Sequence, residues 1–150
     1  MRRTKLMLFF ILLLSLSTVS AQIPVPRLNI LYGDSKCYTN SIMFWTSLPD
    51  RGLVLDGVVF SAHTAPTVAI AWIGLTRIDL PWKNQFGQTC HFLASPDLVY
   101  LIPMHLGYGS IPLFKIPNSP ILIGVELFGQ AAMVVGNHED WSRGVEMVIQ

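Results

Sequence analysis

Gly124-Val125-Glu126-Leu127-Phe128-Gly129-Gln130-Ala131-Ala132-Met133-Val134-Val135-Gly136 is the stretch whose reading decides the fold. By intrinsic propensity its Glu, Leu, Gln, Ala and Met favour a helix. Three glycines, Gly124, Gly129 and Gly136, bound and interrupt the segment, and glycine weakens a helix interior by about 1 kcal/mol relative to alanine. Alternation fits better. Val125, Leu127, Ala131, Met133 and Val135 fall on one face of an extended chain, with Glu126 and Gln130 opposite, the period-two pattern of a strand. Gly129 inside an apolar strand marks a bulge or a close approach of backbone.

The same period recurs on both sides. Val145, Met147 and Ile149 alternate with Glu146 and Gln150 at the C-terminus. Pairing Gly144–Gln150 with Val125–Val135 makes one continuous apolar face, so a closing hairpin is expected, with Gly136–Arg143 as its polar surface loop. Upstream, Ile42, Phe44 and Thr46 share one face of Ser41–Ser47, and Met43 and Trp45 the other. Val68, Ile70 and Trp72 share a face in Thr67–Ile73, backed by Ala69 and Ala71. Weaker candidates are Leu28–Tyr32, Val58–Ala62, Ile78–Leu80, His91–Ala94, Leu98–Ile102 and Ile111–Ile116. Proline and glycine punctuate these segments. Many short strands separated by turn signals predict an all-β fold, an antiparallel β-sandwich of jelly-roll or Ig-like type. In it Trp45, Trp72 and Trp82 read as core or edge-covering residues, because aromatics fill β cores; a carbohydrate-stacking platform is the alternative.

The N-terminus reads as an address. Arg2, Arg3 and Lys5 precede an apolar run, Leu6–Leu14, and Val19 and Ala21 occupy the small positions before Gln22. This predicts a cleaved signal peptide over residues 1–21, followed by one domain over 22–150. The apolar run is far short of the roughly 20 residues that span a bilayer. Cleavage would leave 129 of the 150 residues, with seven Lys and Arg against nine Asp and Glu, a net charge of −2. No basic stripe remains for nucleic acid, and none for acidic lipid. The expected location is secreted, periplasmic or at the cell envelope, with no membrane span after cleavage.

Two cysteines, Cys37 and Cys90, lie in the exported part. An even count in an exported chain reads first as a disulfide. Two free thiols, or half of a metal site, are the alternatives, although no His stands at finger-type spacing from either.

Several short motifs occur in order. They are Leu31-Tyr32-Gly33-Asp34-Ser35-Lys36-Cys37; Ile78-Asp79-Leu80-Pro81; Gly87-Gln88-Thr89-Cys90; Ser95-Pro96-Asp97-Leu98; Ile116-Pro117-Asn118-Ser119-Pro120 with Leu122 and Gly124; Phe128-Gly129-Gln130-Ala131; and Ser142-Arg143-Gly144-Val145-Glu146-Met147. Together they resemble a family of secreted all-β domains of unknown function, common in planctomycetes and similar environmental bacteria. The departures are Phe128-Gly129, where a tyrosine often precedes the glutamine, and the charged insertion Asn137–Trp141. The resemblance implies a sandwich-like exported domain with its two cysteines paired, and brings no catalytic residues. Independently, Pro117 and Pro120 mark the entry to a strand, since neither donates to a ladder. Gln130 is expected to hydrogen-bond backbone near a sheet edge.

Chemistry is sparse. The strand ending in Gly33-Asp34-Ser35 is similar to the nucleophile block of GDSL-type esterases, with Ser35 as the nucleophile. That reaction needs a base and an orienting carboxylate. The Asp-x-x-His pair and the Gly-x-Asn-Asp block of those enzymes are missing; Gly136-Asn137-His138 is the nearest approach. His63, His91, His105 and His138 show no pair at ligand spacing, and His138-Glu139-Asp140 reads as a solvated loop, with a calcium or ligand contact as the alternative. Neither a catalytic set, a cofactor site nor a metal site is predicted. The expected role is therefore a non-enzymatic exported domain that binds, adheres or supports at the envelope or outside the cell. A small esterase using Ser35 and a carbohydrate-binding module using an exposed tryptophan are the alternatives.

Overall fold

The computed structural model describes residues 30–33, 37, 42–65 and 67–150. The predicted signal peptide and Ser35 lie outside them. Among the described residues eleven strands run in the order β1 (Ile30–Tyr32), β2 (Ile42–Thr46), β3 (Val54–Ser61), β4 (Thr67–Gly74), β5 (Arg77–Lys83), β6 (Thr89–Ala94), β7 (Leu98–Met104), β8 (Tyr108–Lys115), β9 (Glu126–Val135), β10 (His138–Trp141) and β11 (Gly144–Val148). The all-β antiparallel expectation holds. A short 3-10 turn, Pro120–Leu122, leads towards β9.

Three sheets form. The largest has the order β1-β11-β9-β4-β7, with β10 also on β9; a second is β2-β3-β8, and a third is the β5–β6 hairpin. The first two make the sandwich. Between them lie Ile42, Phe44, Leu55, Val59, Ala71, Ile73, Ile102, Leu127, Ala131, Met133, Val145 and Met147, all buried. Phe44 reaches across this core to β9, where a Cβ at position 129 would stand 2.7 Å from Phe44 Cε1. Gly129 is thus the close approach its sequence position suggested, and any side chain there would push the sheets apart.

The β5–β6 hairpin lies on the other face of the large sheet and makes a second core. Tyr32, Cys37, Trp72, Cys90, Leu93, Ala94, Phe128, Ala132 and Trp141 pack there. This third layer corrects two sequence expectations. Gln130 is not at an edge: it is fully buried on a central strand, because the hairpin covers the face that alternation assigned outward. There its side chain accepts from Leu93 N and donates to the carbonyls of His91 and Ser142, stitching the hairpin to the sheet. In β4 the small residues Ala69 and Ala71 face the sandwich core, whereas Val68 and Ile70 are 47% and 43% exposed on the opposite side.

The closing hairpin is present with an addition. β11 pairs with β9 through Val145↔Gly129, Glu146↔Phe128, Met147↔Leu127 and Val148↔Glu126. The connection is not a loop, however. Val135 and His138 are partners across Gly136-Asn137, a two-residue turn entered by Gly136 at φ +59°, and β10 then runs back along the C-terminal half of β9. Ser142 separates β10 from β11. Its N–H donates to the Ala131 carbonyl, and its Oγ accepts from Ala131 N, so the break leaves no ladder group of Ala131 unsatisfied. Charge hid this strand from the sequence pattern.

Tyr32 shows how tightly the second core is drawn. Its ring crosses Gly144, meets Phe128 edge to face and carries the Arg77 guanidinium 4.2 Å above its centroid. The hydroxyl donates to the Leu93 carbonyl. Burial raises its pKa well above the ordinary 10.0, against the opposing pull of Arg77. A raised folded-state pKa means that the unfolded chain gives up this proton first, so the stability it carries is intact below pH 10.0 and is lost as pH rises past that value. Burial raises Tyr100 in the same direction. Urea midpoints are therefore expected to start falling near pH 10 and to go on falling as pH rises further. Tyr32→Phe is expected to cost about 1 kcal/mol at neutral pH through the lost hydrogen bond, and to flatten that alkaline fall without abolishing it. An unchanged slope would remove Tyr32 from the account.

Candidate functional site

The β5–β6 hairpin covers only part of the sheet face beneath it. Beside it opens a groove of about 300 Å³, lined by Val68, Ile70, Trp72, Trp82, Phe92, Pro96, Val99, Ala132, Met133, Val134, Glu139 and Trp141. Strand alternation explains the lining: Val68, Ile70 and Trp72 of β4 and Ala132 and Val134 of β9 point to one side of the sheet. Trp141 is opposite Ala132, and Glu139 is opposite Val134, so β10 extends the same face.

The aromatic rings are arranged edge to face. Trp72 and Trp141 have centroids 5.3 Å apart at 71°, and Phe92 and Trp141 4.8 Å at 80°. Trp72 and Trp141 are buried, while Trp82 is 51% exposed and stands over Phe92 at 6.2 Å. Of the three tryptophans the sequence reading named, Trp72 is in a core, Trp82 is half exposed at the groove and Trp45 is half-buried in the other sheet; Trp141, expected in a surface loop, is in the core beside Trp72. Glu139 brings the one carboxylate of the lining, and its Oε2 already accepts from Trp141 Nε1 at 2.9 Å. Trp72 Nε1 is buried with no hydrogen-bond acceptor among the described residues. Such a surface takes apolar or aromatic groups and has little with which to bind a polar one.

The other side of β10 is polar. His138 and Asp140 alternate with Glu139 and Trp141 and so face away from the groove. Asp140 is fully buried. His63, beyond the end of β3, places Nε2 3.0 Å from Asp140 Oδ2, and His138 Nε2 lies 3.5 Å from Asp140 Oδ1. The fold has joined two histidines that the sequence holds 75 positions apart. A calcium contact by His138-Glu139-Asp140 does not suit this geometry, since Glu139 is on the opposite face and calcium needs several oxygens. His91 is elsewhere, its Nδ1 bonded to Asp79. His105 is exposed in the β7–β8 turn.

Cys37 and Cys90 form a disulfide with Cα atoms 5.0 Å apart, inside the 4.4–6.8 Å range usual for such bonds. It ties the segment after β1 to the second residue of β6. Among the described residues no helix is long and apolar enough to cross a membrane.

Sequence reading missed the groove because its walls come from β4, β5, β6, β7, β9 and β10. One signal was available, the Gly136-Asn137 turn followed by His138-Glu139-Asp140-Trp141, which marks a hairpin. Comparison with protein-family models, with curated proteins and with solved structures finds no match to this chain.

Proposed function

We propose that this chain is an exported, non-enzymatic binding domain whose ligand places an apolar or aromatic group in the groove beside the β5–β6 hairpin. The observation that carries this reading is the groove itself, with Val68, Ile70, Val99, Val134 and Trp82 all more than 40% exposed around it. Exposed apolar residues gathered into one concave patch point to binding, because isolated ones would suffice for a mere surface. The disulfide suits an oxidising compartment, and the tripartite N-terminus supplies the route there. The partner is then the apolar part of an envelope or extracellular polymer or protein. One specific feature favours a second reading, stacking of a sugar ring on Trp82, the only tryptophan of the groove with an open face.

The test is titration of the protein with N-phenyl-1-naphthylamine, a neutral aromatic probe, read by quenching of tryptophan emission. Saturable binding is expected, weakened at least about tenfold by Val134→Asp at the exposed floor, with the melting temperature unchanged. Binding that ignores Val134→Asp, or a protein that takes soluble glycans and not the probe, would overturn the apolar reading.

A further inference from the structure

We propose that His63, His138 and Asp140 form a binding site for a divalent transition-metal ion, zinc foremost, at the edge of the sandwich. The three offer one ligand atom each within 4.8 Å of one another. Zinc bonds to imidazole nitrogen and carboxylate oxygen are about 2.0–2.2 Å, which puts the ligand atoms of a tetrahedral site about 3.4 Å apart. His63 Nε2 stands 3.0 Å from Asp140 Oδ2 and His138 Nε2 3.5 Å from Asp140 Oδ1, so each imidazole lies near that distance from the carboxylate, one on each of its oxygens. Small side-chain rotations would therefore seat an ion without moving the backbone.

The chemistry of the donors selects the class of ion. Two imidazoles with one carboxylate suit zinc, copper or nickel and not magnesium or calcium, which bind through oxygen. Burial supports a built site. The Asp140 side chain is 1% exposed and hydrogen-bonded to His63 Nε2, so the carboxylate is held in place beside both imidazoles. The histidine side chains are 34% and 39% exposed, so the ion has a route in from solvent. Three protein ligands leave at least one coordination position for water.

The site also has a structural consequence. His63 follows β3 of one sheet, whereas His138 and Asp140 belong to β10 of the other. A bound ion would clamp the two sheets together where β10 joins β9. Any ion that binds the folded chain alone raises its stability by mass action. This proposal is independent of the groove, which lies across β10 on the opposite face.

The test uses the oxidised protein stripped with a chelator and titrated with zinc chloride by calorimetry. One ion per chain is expected, with a higher melting temperature that the chelator reverses. His63→Gln and His138→Gln, both at half-exposed positions, are each expected to weaken binding at least about tenfold. Zinc affinity unchanged in both variants would overturn the site, as would no binding to the intact protein. Imidazole NMR resonances of the unmodified protein keep the result independent of the variants' folding. Zinc-induced shifts at His63 and His138 support the site, and shifts confined to His91 or His105 refute it.

Discussion

Removing the Cys37–Cys90 bond is expected to lower the unfolding free energy by about 4 kcal/mol, from the loss of loop-closure constraint on the unfolded chain. The bond spans 53 positions, which makes the closed loop long. Native-state position adds to the effect. The β5–β6 hairpin makes a separate two-stranded sheet, so it has no ladder of its own to the large sheet. Gln130, the packing around Trp72 and Trp141, and this bond hold it down. A domain of this kind has only about 5–15 kcal/mol in all, so the bond is a large fraction of it. The Cys37→Ala, Cys90→Ala double variant should melt about 10–20 °C lower than the oxidised protein. Because the hairpin walls the groove, probe binding should weaken in the same variant at temperatures where it is still folded. An unfolding free energy from urea titration within about 1 kcal/mol of the oxidised protein's would show that the hairpin is anchored without the bond.

Met147→Ala is expected to cost about 2–5 kcal/mol, the range for emptying a large side chain from a well-packed core. Met147 is fully buried in the sandwich core. Its Sδ accepts from Thr46 Oγ1 at 2.8 Å, and its Cε lies 3.5 Å from where a Cβ on Gly129 would stand. It therefore touches β2 of one sheet and β9 of the other, and the cavity would open where the sheets close. Met147→Leu separates packing from the sulfur contact. It keeps the volume and should cost less than about 1.5 kcal/mol. If leucine costs as much as alanine, the Thr46–Met147 contact and not the cavity is the larger effect. Deleting residues 144–150 goes further, since it strips β1 and the first half of β9 of their partner. The edge of β9 that β11 covered would then lie open, although β4 still pairs its other edge, and an open strand edge invites aggregation. A truncated chain that melts like the intact one would contradict the sealing role of β11.

Much of the frame could be read from residue order alone. Alternation over Val125–Val135 and Val145–Ile149, together with the glycines that exclude a helix, was enough for β9, β11 and their pairing. The same pattern located β2, and the even cysteine count pointed to the bond that the structure contains. Period two says which residues share a face; it does not say what covers that face. For β11 one cover exists and the reading was right. For β4 and β9 both faces are covered in part, because the β5–β6 hairpin adds a third layer. Gln130 was therefore placed at an edge when it is at the centre, and the Val68–Ile70 face is the open one.

The two sites were decided by tertiary structure, for one physical reason. Each is made by β10, whose residues alternate across a sheet that separates two environments. Glu139 and Trp141 turn to the aromatic groove, and His138 and Asp140 turn to His63. Along the chain those four residues form a charged run that any solvated loop would also show. Only pairing with Val135, Val134, Met133 and Ala132 sorts them onto opposite faces, and only the return of the chain after β3 brings His63 to the carboxylate. Periodicity is a local property and was legible. The meeting of residues 63, 138 and 140, like the groove under residues 82 and 92, depends on how three sheets stack, which local order does not encode.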